Sequence, residues 1–141
     1  MPRIALSAVV FLCFSSAPLF AEQTCQGLMG IKLEHAAIAS ASAVAAGPLS
    51  GGGRGGAAPV ITPAHCAVQG IIRPTKDSEI RFELWIPTSG WNGKYLQIGN
   101  GGWAGTINVA RLVDPVKRGY AAAATDDGRQ GGPGATWAIA L

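Results

Sequence analysis

The stretch "KYLQIGNGGWAGTINVARLVDPVKRGYAAAAT", residues 94–125, decides the fold of this chain. It opens with a short strand-like segment at residues 94–99, continues into a helix-like pattern from residue 106, and closes with an apolar run at residues 120–125. An apolar run without alternation is typical of a strand that is covered on both faces, as in a parallel sheet. The three patterns in this order therefore predict a strand, a helix and a parallel strand, which form one βαβ unit.

The helical part of this stretch carries its own start and stop signals. Asp114 and Pro115 are typical of the cap and the first position of a helix, and Gly119 is typical of a helix end. We therefore expect a final helical turn that is capped by Asp114 and stopped by Gly119.

The preceding segments predict antiparallel strands. "IRFELWIP", residues 80–87, alternates apolar and polar residues, and "AVQGIIR", residues 67–73, precedes it across a turn at residues 74–79, which is the pattern of a hairpin. The predicted fold class is thus α/β, with antiparallel first strands and then a βαβ unit. Further upstream, residues 22–46 are ambiguous between helix and strand because alanine is too neutral to set a period. Residues 47–59 have the composition of a flexible loop.

Composition and charge limit the function. The chain has 141 residues, and its formal charge of +3 is scattered, so we expect no nucleic-acid partner.

Residues 1–21 have the layout of a secretory signal peptide, with cleavage expected after Ala21. A transmembrane anchor is the rival interpretation, but the apolar run at residues 4–13 is short for a bilayer span of about 20 residues. We therefore expect a secreted or periplasmic protein with no membrane contact after signal cleavage.

Removal of that segment leaves two cysteines, Cys25 and Cys66. In an oxidising compartment such a pair is expected to form a disulfide. A metal site is the rival interpretation, but two cysteines so far apart, with only His35 and His65 to help, match no zinc spacing. We therefore expect no metal in this chain and interpret His65 as a loop histidine.

Three interpretations compete for Asn100-Gly101-Gly102, which ends the first strand of the βαβ unit. In the first, glycine supplies a positive φ for a structural turn. In the second, "GNGGWAG" is a dinucleotide loop, although it follows a hairpin instead of opening a Rossmann unit. In the third, the glycines bring backbone N–H groups close to a ligand, as in the oxyanion hole of an α/β-hydrolase. The position after the third clear strand and before a helix favours the third interpretation.

Several segments taken together resemble the tannase and feruloyl esterase family of secreted α/β-hydrolases. In chain order the matching segments are "CAVQGIIRP" at residues 66–74, "DSEIRFELWIP" at 77–87, "WNGKYLQIGNGGWAG" at 91–105 and "RGYAAAATDDG" at 118–128. The early Cys25-Gln26-Gly27-Leu28 also fits the start of the mature family members. The resemblance implies that residues 22–141 are the N-terminal part of an α/β-hydrolase catalytic domain that is truncated before the nucleophile.

The resemblance implies a carboxylic-ester hydrolase that acts on small phenolic esters through a serine acyl-enzyme, a histidine base and an aspartate. It also implies a lid domain, often with a Ca²⁺ site, that lies outside this chain. The family's Cys-Ser-x-Gly-Gly nucleophile motif does not occur in these residues, so we expect no catalytic triad residue, no cofactor and no activity in the chain alone. What carries over is the oxyanion role for Gly101 and Gly102, and an N-terminal disulfide between Cys25 and Cys66.

Two further residues are candidates for lining the substrate pocket or for supporting the glycine loop. Trp103 is either a core aromatic residue, which we favour, or a wall of the acyl pocket. Asp126 either orders the glycine loop by hydrogen bonds or serves the turn structurally, and we favour the structural role because aspartate is a common turn residue. Arg129 stands where family members often have histidine, which leaves its effect on this loop open.

The alternative from another class is a small secreted, disulfide-linked binding module without catalysis. The continuation of the reading frame discriminates between the two, because only the enzyme needs a nucleophile motif further on. The apolar residues 138–141 carry no helix-end signal, which suggests part of a longer protein. In the isolated fragment we expect residues 120–125 to form an exposed edge strand, and the fragment to fold poorly.

Overall fold

The computed structural model describes residues 24–49, 59–101 and 105–128. Within these ranges the chain forms two sheets, two 3₁₀ helices and one short α-helix. In chain order the elements are the first 3₁₀ helix at Gln26–Gly30, β1 at Ala36–Val44, β2 at Gly47–Pro48, β3 at Ile61–Thr62, β4 at His65–Ile72, β5 at Ile80–Pro87, β6 at Tyr95–Ile98, the second 3₁₀ helix at Val109–Leu112, α1 at Val113–Lys117 and β7 at Ala121–Thr125.

The main sheet has five strands in the order β1-β4-β5-β7-β6. β6 and β7 are parallel, and the other neighbouring pairs of this sheet are antiparallel. β6, α1 and β7 thus form the predicted βαβ unit, and β4 and β5 form the predicted hairpin. The fold class is therefore α/β, with antiparallel strands followed by a parallel pair, as the sequence predicts.

β1 resolves the ambiguity of the alanine-rich segment in favour of a strand. It pairs with β4 along its length, from Ala36 opposite Ile72 to Val44 opposite His65. Alanine has little preference of its own, so the neighbouring strand decides its conformation. The glycine-rich segment that follows is not a loop throughout, because β2 pairs with β3 in a separate two-stranded sheet. Residues 50–58 lie outside the described residues.

The helix differs from its predicted form. The side chain of Asn108 accepts a hydrogen bond from the backbone N–H of Ala110 and caps the second 3₁₀ helix, which runs directly into α1. Asp114 therefore lies in the first turn of α1, and the prediction that it caps a separate turn is wrong. A continuous helix leaves no free N–H groups at that point to be capped. Gly119 does follow the helix end, with a φ of 82° that glycine adopts without strain.

The main sheet packs on both faces, and the two faces carry different residues. One face packs against α1 and the second 3₁₀ helix, and the buried residues of this contact, from the sheet and the helices together, are Trp85, Leu112, Val113, Val116, Ala122 and Ala124. The other face packs against the first 3₁₀ helix, and its buried residues are Ala41, Cys66 and Val68. This division follows the period of two in β5, where Trp85 faces α1 and its neighbours Leu84 and Ile86 face the other way.

β7 is enclosed on all sides. Ala122, Ala123 and Ala124 are at most 5% exposed, so the prediction of a strand covered on both faces is confirmed. The prediction that this strand lies at the edge of the sheet is wrong, because β7 enters between β5 and β6. Within the described residues, β1 and β6 are the two end strands of this sheet.

The predicted disulfide between Cys25 and Cys66 is present, with the two Cα atoms 5.6 Å apart. It ties the first 3₁₀ helix to β4 across a sequence separation of 41 residues, a loop size for which chain entropy gives about 4 kcal/mol of stabilisation.

The interpretation of His65 as a loop residue is wrong. It is the first residue of β4, it is 2% exposed, and its ring stacks on Trp85 with the ring centroids 4.0 Å apart.

Gly70 in β4 is a position at which a side chain is not tolerated. A Cβ atom there would lie 2.4 Å from the ring of Phe82 and 2.5 Å from the backbone oxygen of Ala37. Since that oxygen belongs to β1, it cannot move without disturbing the pairing of β1 with β4. We expect Gly70→Ala to lower the free energy of unfolding by about 3 kcal/mol, as measured by chemical denaturation.

Gly47→Ala in β2 is the matched control, because a Cβ atom at Gly47 meets no described atom within 4 Å. We expect this variant to unfold within about 0.5 kcal/mol of the parent protein. If Gly70→Ala cost no more stability than Gly47→Ala, the crowding around Gly70 would not constrain the sheet.

Candidate active site

The candidate site lies where the carboxyl ends of the two parallel strands meet. Tyr95 pairs with Ala121 and Ile98 pairs with Ala124, so β6 and β7 end at the same edge of the sheet. The described part of the glycine loop, residues 99–101, follows β6, and a turn at residues 125–128 follows β7. In α/β sheets, ligands bind at this edge.

The glycine loop is bonded to the neighbouring turn and to the helix. The side-chain Nδ2 of Asn100 donates to the backbone oxygen of Thr125 at 2.8 Å and to Oδ2 of Asp127 at 2.9 Å. From the other side, Nη1 of Arg111 in the second 3₁₀ helix donates to the backbone oxygen of Gly99 at 2.8 Å. The loop is therefore held in place by side chains from two elements.

Gly101 needs a different explanation from the usual one for a turn glycine. Its φ lies outside the left-handed region, and a Cβ atom at this position meets no described atom within 4 Å. Neither a positive φ nor crowding by the described residues therefore requires glycine here. Within the described part of the chain, Gly101 is exposed and lies just beyond the carboxyl end of β6.

The dinucleotide interpretation does not fit the geometry after the loop. A dinucleotide fingerprint opens a helix directly, so that the pyrophosphate lies on the helix N-terminus. Here residues 105–108 are not helical, and the first helical residue is Val109. The helix therefore begins too late to receive a phosphate group held by the glycines.

Asp126 is almost fully buried, at 3% exposure. Its Oδ1 accepts hydrogen bonds from the backbone N–H of Arg81 at 2.8 Å and of Gly128 at 3.0 Å, and its own N–H donates to the backbone oxygen of Arg81. These bonds join the end of β7 to the start of β5 and shape the turn. The other candidate residues, Gly102, Trp103 and Arg129, lie outside the described residues.

The sequence patterns indicate no role for three residues of this site: Asn100, Arg111 and Asp127. Asn100 is visible as the residue before the glycine pair, but its partners are 25 and 27 positions away. Asp127 has a left-handed φ of 54°, which aspartate tolerates better than most residues. The Asp-Gly pair that ends this turn is the sequence signal that could have indicated it.

The rim of the site is charged at the start of β5. The carboxylate of Glu79 accepts a hydrogen bond from Arg73 at 2.8 Å and a longer one from Arg81 at 3.4 Å. The hydrogen bond and positive charge of Arg73, followed by those of Arg81, hold the pKa of Glu79 below its usual range. This carboxylate is therefore ionised at neutral pH and balances part of the positive charge of the two arginines.

A hollow of about 520 Å³ lies beside the turn after β7, and its lining comes mainly from β4, β5 and residues 105–107. The segment that follows the loop forms one wall through Thr106 and Ile107, and Asp126 lies at the end nearest the turn. In its floor, the carboxylate of Glu83 accepts hydrogen bonds from Nε2 of Gln69 at 3.1 Å and from Nε1 of Trp85 at 2.7 Å. The hollow thus adjoins the turn after β7 through Asp126.

Among the described residues, no three or more His, Cys, Asp or Glu side chains are grouped so that they could hold a metal ion. None of the helices in the described ranges combines the length and the apolar character needed to cross a bilayer.

The mixed sheet and the loop at the carboxyl end of its parallel pair define a protein of the α/β-hydrolase type. Residues 66–140 match the model of the family described as tannase and feruloyl esterase. The chain belongs to this family, as its motifs predict.

Individual relatives agree with this assignment. The chain is 42% identical over 110 residues to an uncharacterised esterase of Xanthomonas campestris pv. campestris, covering 78% of this chain and 19% of that protein. It is 32% identical over 71 residues to the probable feruloyl esterase B-1 of Aspergillus terreus, covering 50% of this chain and 13% of that protein. The solved structure of feruloyl esterase B from Aspergillus oryzae superposes with a TM-score of 0.63 at 25% identity, covering 76% of this chain and 22% of that one. The chain thus spans about a fifth or less of the length of these relatives.

The contacts of Asp126 lead to a stability prediction. Asp126→Ala leaves the backbone N–H groups of Arg81 and Gly128 without the acceptor that they share, so we expect the free energy of unfolding to fall by about 2 kcal/mol. Asp114→Ala is the control, because the Asp114 side chain is 78% exposed and its ion pair with Arg118 lies at the surface. We expect that control to lose at most about 0.5 kcal/mol in chemical denaturation. Equal losses in the two variants would show that Asp126 does not hold the turn.

Proposed function

We propose that this chain supplies the oxyanion-binding part of a carboxylic-ester hydrolase that acts on phenolic esters, of the tannase or feruloyl esterase type. One observation carries the proposal: Gly101 is exposed just beyond the carboxyl ends of the parallel strands, although neither its φ nor the described residues around it require glycine. The family match and the relatives named as esterases support the same reading.

The proposed organisation has a signal peptide at residues 1–21 and the N-terminal part of an α/β-hydrolase catalytic domain at residues 22–141. The small share of each relative that the chain covers supports a larger catalytic protein. The disulfide between Cys25 and Cys66 supports an oxidising compartment, and hence a secreted or periplasmic location.

In the proposed mechanism, a serine attacks the carbonyl carbon of the ester, a histidine accepts the serine proton, and an aspartate orients the histidine. Negative charge then develops on the former carbonyl oxygen. The backbone N–H of Gly101, and that of Gly102 beside it, would donate hydrogen bonds to this oxygen, because fixed donors at a site of developing charge lower the barrier. We place the serine, the histidine and the aspartate in the remainder of the protein, so the chain alone would be inactive. A Ca²⁺ ion in a lid domain stays a prediction, and no step depends on it.

The first test is an activity assay on the complete open reading frame that encodes this chain. We expect the purified product to hydrolyse methyl ferulate or methyl gallate, and a serine-directed sulfonyl fluoride to abolish the activity. Residues 22–141 expressed alone are the control, and we expect no hydrolysis from them. A complete protein that releases no acid from either ester would contradict the proposed function. Hydrolysis by residues 22–141 alone would instead contradict the proposed location of the nucleophile.

The second test separates the role of Gly101 in activity from any role in folding. In Gly101→Ala the added methyl group meets no described atom within 4 Å, and it would crowd an ester oxygen bound at the loop. We expect kcat/KM to fall by about 10- to 100-fold, with the melting temperature nearly unchanged. Gly30→Ala is the control, because a Cβ atom at Gly30 also meets no described atom within 4 Å and the first 3₁₀ helix packs against β1, at the opposite end of the sheet from β6. Full activity in Gly101→Ala would remove this glycine from the proposed oxyanion hole.

A further inference from the structure

Asn100 joins the glycine loop to the turn after β7 in a way that the family assignment does not explain. Its single carboxamide donates to two acceptors, the backbone oxygen of Thr125 and Oδ2 of Asp127. We propose that Asn100 and Asp127 form a positioning pair, which fixes the direction of the backbone N–H of Gly101 and thereby sets the rate of ester hydrolysis. This inference rests on the function proposed above.

Asp127 is prepared to receive this hydrogen bond. Its other carboxylate oxygen, Oδ1, accepts a hydrogen bond from Oγ1 of Thr125 at 2.5 Å. Its left-handed φ of 54° turns the backbone sharply just after β7, and aspartate is among the few residues other than glycine that adopt this conformation routinely. Thr125 therefore determines the position of both acceptors of Asn100. The first is the backbone carbonyl of Thr125, and the second is the carboxylate of Asp127, which the Thr125 hydroxyl orients.

Arg111 completes the restraint from the opposite side. Its guanidinium donates to the backbone oxygen of Gly99, the residue before Asn100. The chain around Asn100 is thus held at two points: the carbonyl of Gly99, which accepts from Arg111, and the side chain of Asn100, which donates to the turn after β7. A fixed N–H donor is effective because it needs no reorganisation when charge develops, and a displacement of about 1 Å can cost about 100-fold in rate.

The same strand offers a matched control at its other end. Nδ2 of Asn92 donates to the backbone oxygen of Arg118 at 2.9 Å, and its Oδ1 accepts from the backbone N–H of Lys94. Asn92 thus bonds the segment before β6 to the segment before β7, much as Asn100 bonds the segments that follow these strands, although the contact of Asn92 is exposed and that of Asn100 with Thr125 is partly buried. Removing it should affect stability in a similar way, but it lies far from the glycine loop.

The experiment compares Asn100→Ala, Asp127→Gly and Asn92→Ala in the complete protein, with methyl ferulate or methyl gallate as substrate. Glycine at position 127 removes the carboxylate without straining the positive φ. For Asn100→Ala we expect kcat to fall by about 10- to 100-fold with KM changed less than about 2-fold. For Asp127→Gly we expect a smaller fall, and the double variant should be no slower than Asn100→Ala, because the two residues act as one unit. Asn92→Ala should retain the parent kcat.

The outcomes distinguish this inference from the proposed function. If the parent protein hydrolyses the ester and Asn100→Ala has the same kcat as Asn92→Ala, the positioning role is overturned while the proposed function stands. If the double variant loses the product of the two single losses, the residues act separately and the pair is overturned. If the parent protein hydrolyses neither ester, the proposed function fails and this inference fails with it. Should Asn100→Ala not fold, Asp127→Gly alone decides, with an unchanged kcat overturning the pair.

Discussion

The structure depends on one constraint: β7 is hydrogen-bonded to an antiparallel strand on one side and to a parallel strand on the other. A parallel neighbour requires a crossover, so the chain must leave β6, pass over the sheet as the second 3₁₀ helix and α1, and return. That path brings the carboxyl ends of β6 and β7 to the same edge. The small side chains of Ala122 and Ala124 let the helix residues Leu112 and Val116 pack directly on the strand. The place where the glycine loop meets the turn follows from this arrangement.

The elements of the fold could be predicted, but their order in the sheet could not. The alternation in β5 and the apolar run in β7 identify strands because each reports the environment of its own side chains. No such pattern says which strand lies beside which. The sequence therefore predicts β7 at an edge, whereas it lies between β5 and β6. β1 was ambiguous for a related reason. Its alanines and serines fit a helix or a strand, and the pairing with β4 decides between them.

In the candidate site, too, local sequence patterns do not show which side chains contact each other. The position of Gly101 after a strand and before a helix could be predicted, because that context is local. The contacts of Asn100 with Thr125 and Asp127 join residues far apart in sequence, and they exist only because β6 and β7 are neighbours. His65 is a similar case. Beside a cysteine and between small residues it resembles a loop histidine, yet it begins β4 and stacks on Trp85, because the aromatic ring of the next strand covers it.

If the chain is exported as proposed, the disulfide has a consequence for its maturation. After residue 21, Cys25 and Cys66 are consecutive cysteines in the sequence, and they are the two that are joined. In a polypeptide threaded across a membrane from its N-terminus, an oxidant that links thiols in their order of emergence would make this bond at the first attempt. Maturation of this part of the protein would then require a thiol oxidant, but no isomerase that rearranges non-native disulfides. The bond would also close before β5, β6 and β7 had emerged, so the sheet would assemble on an N-terminal segment that is already anchored to β4.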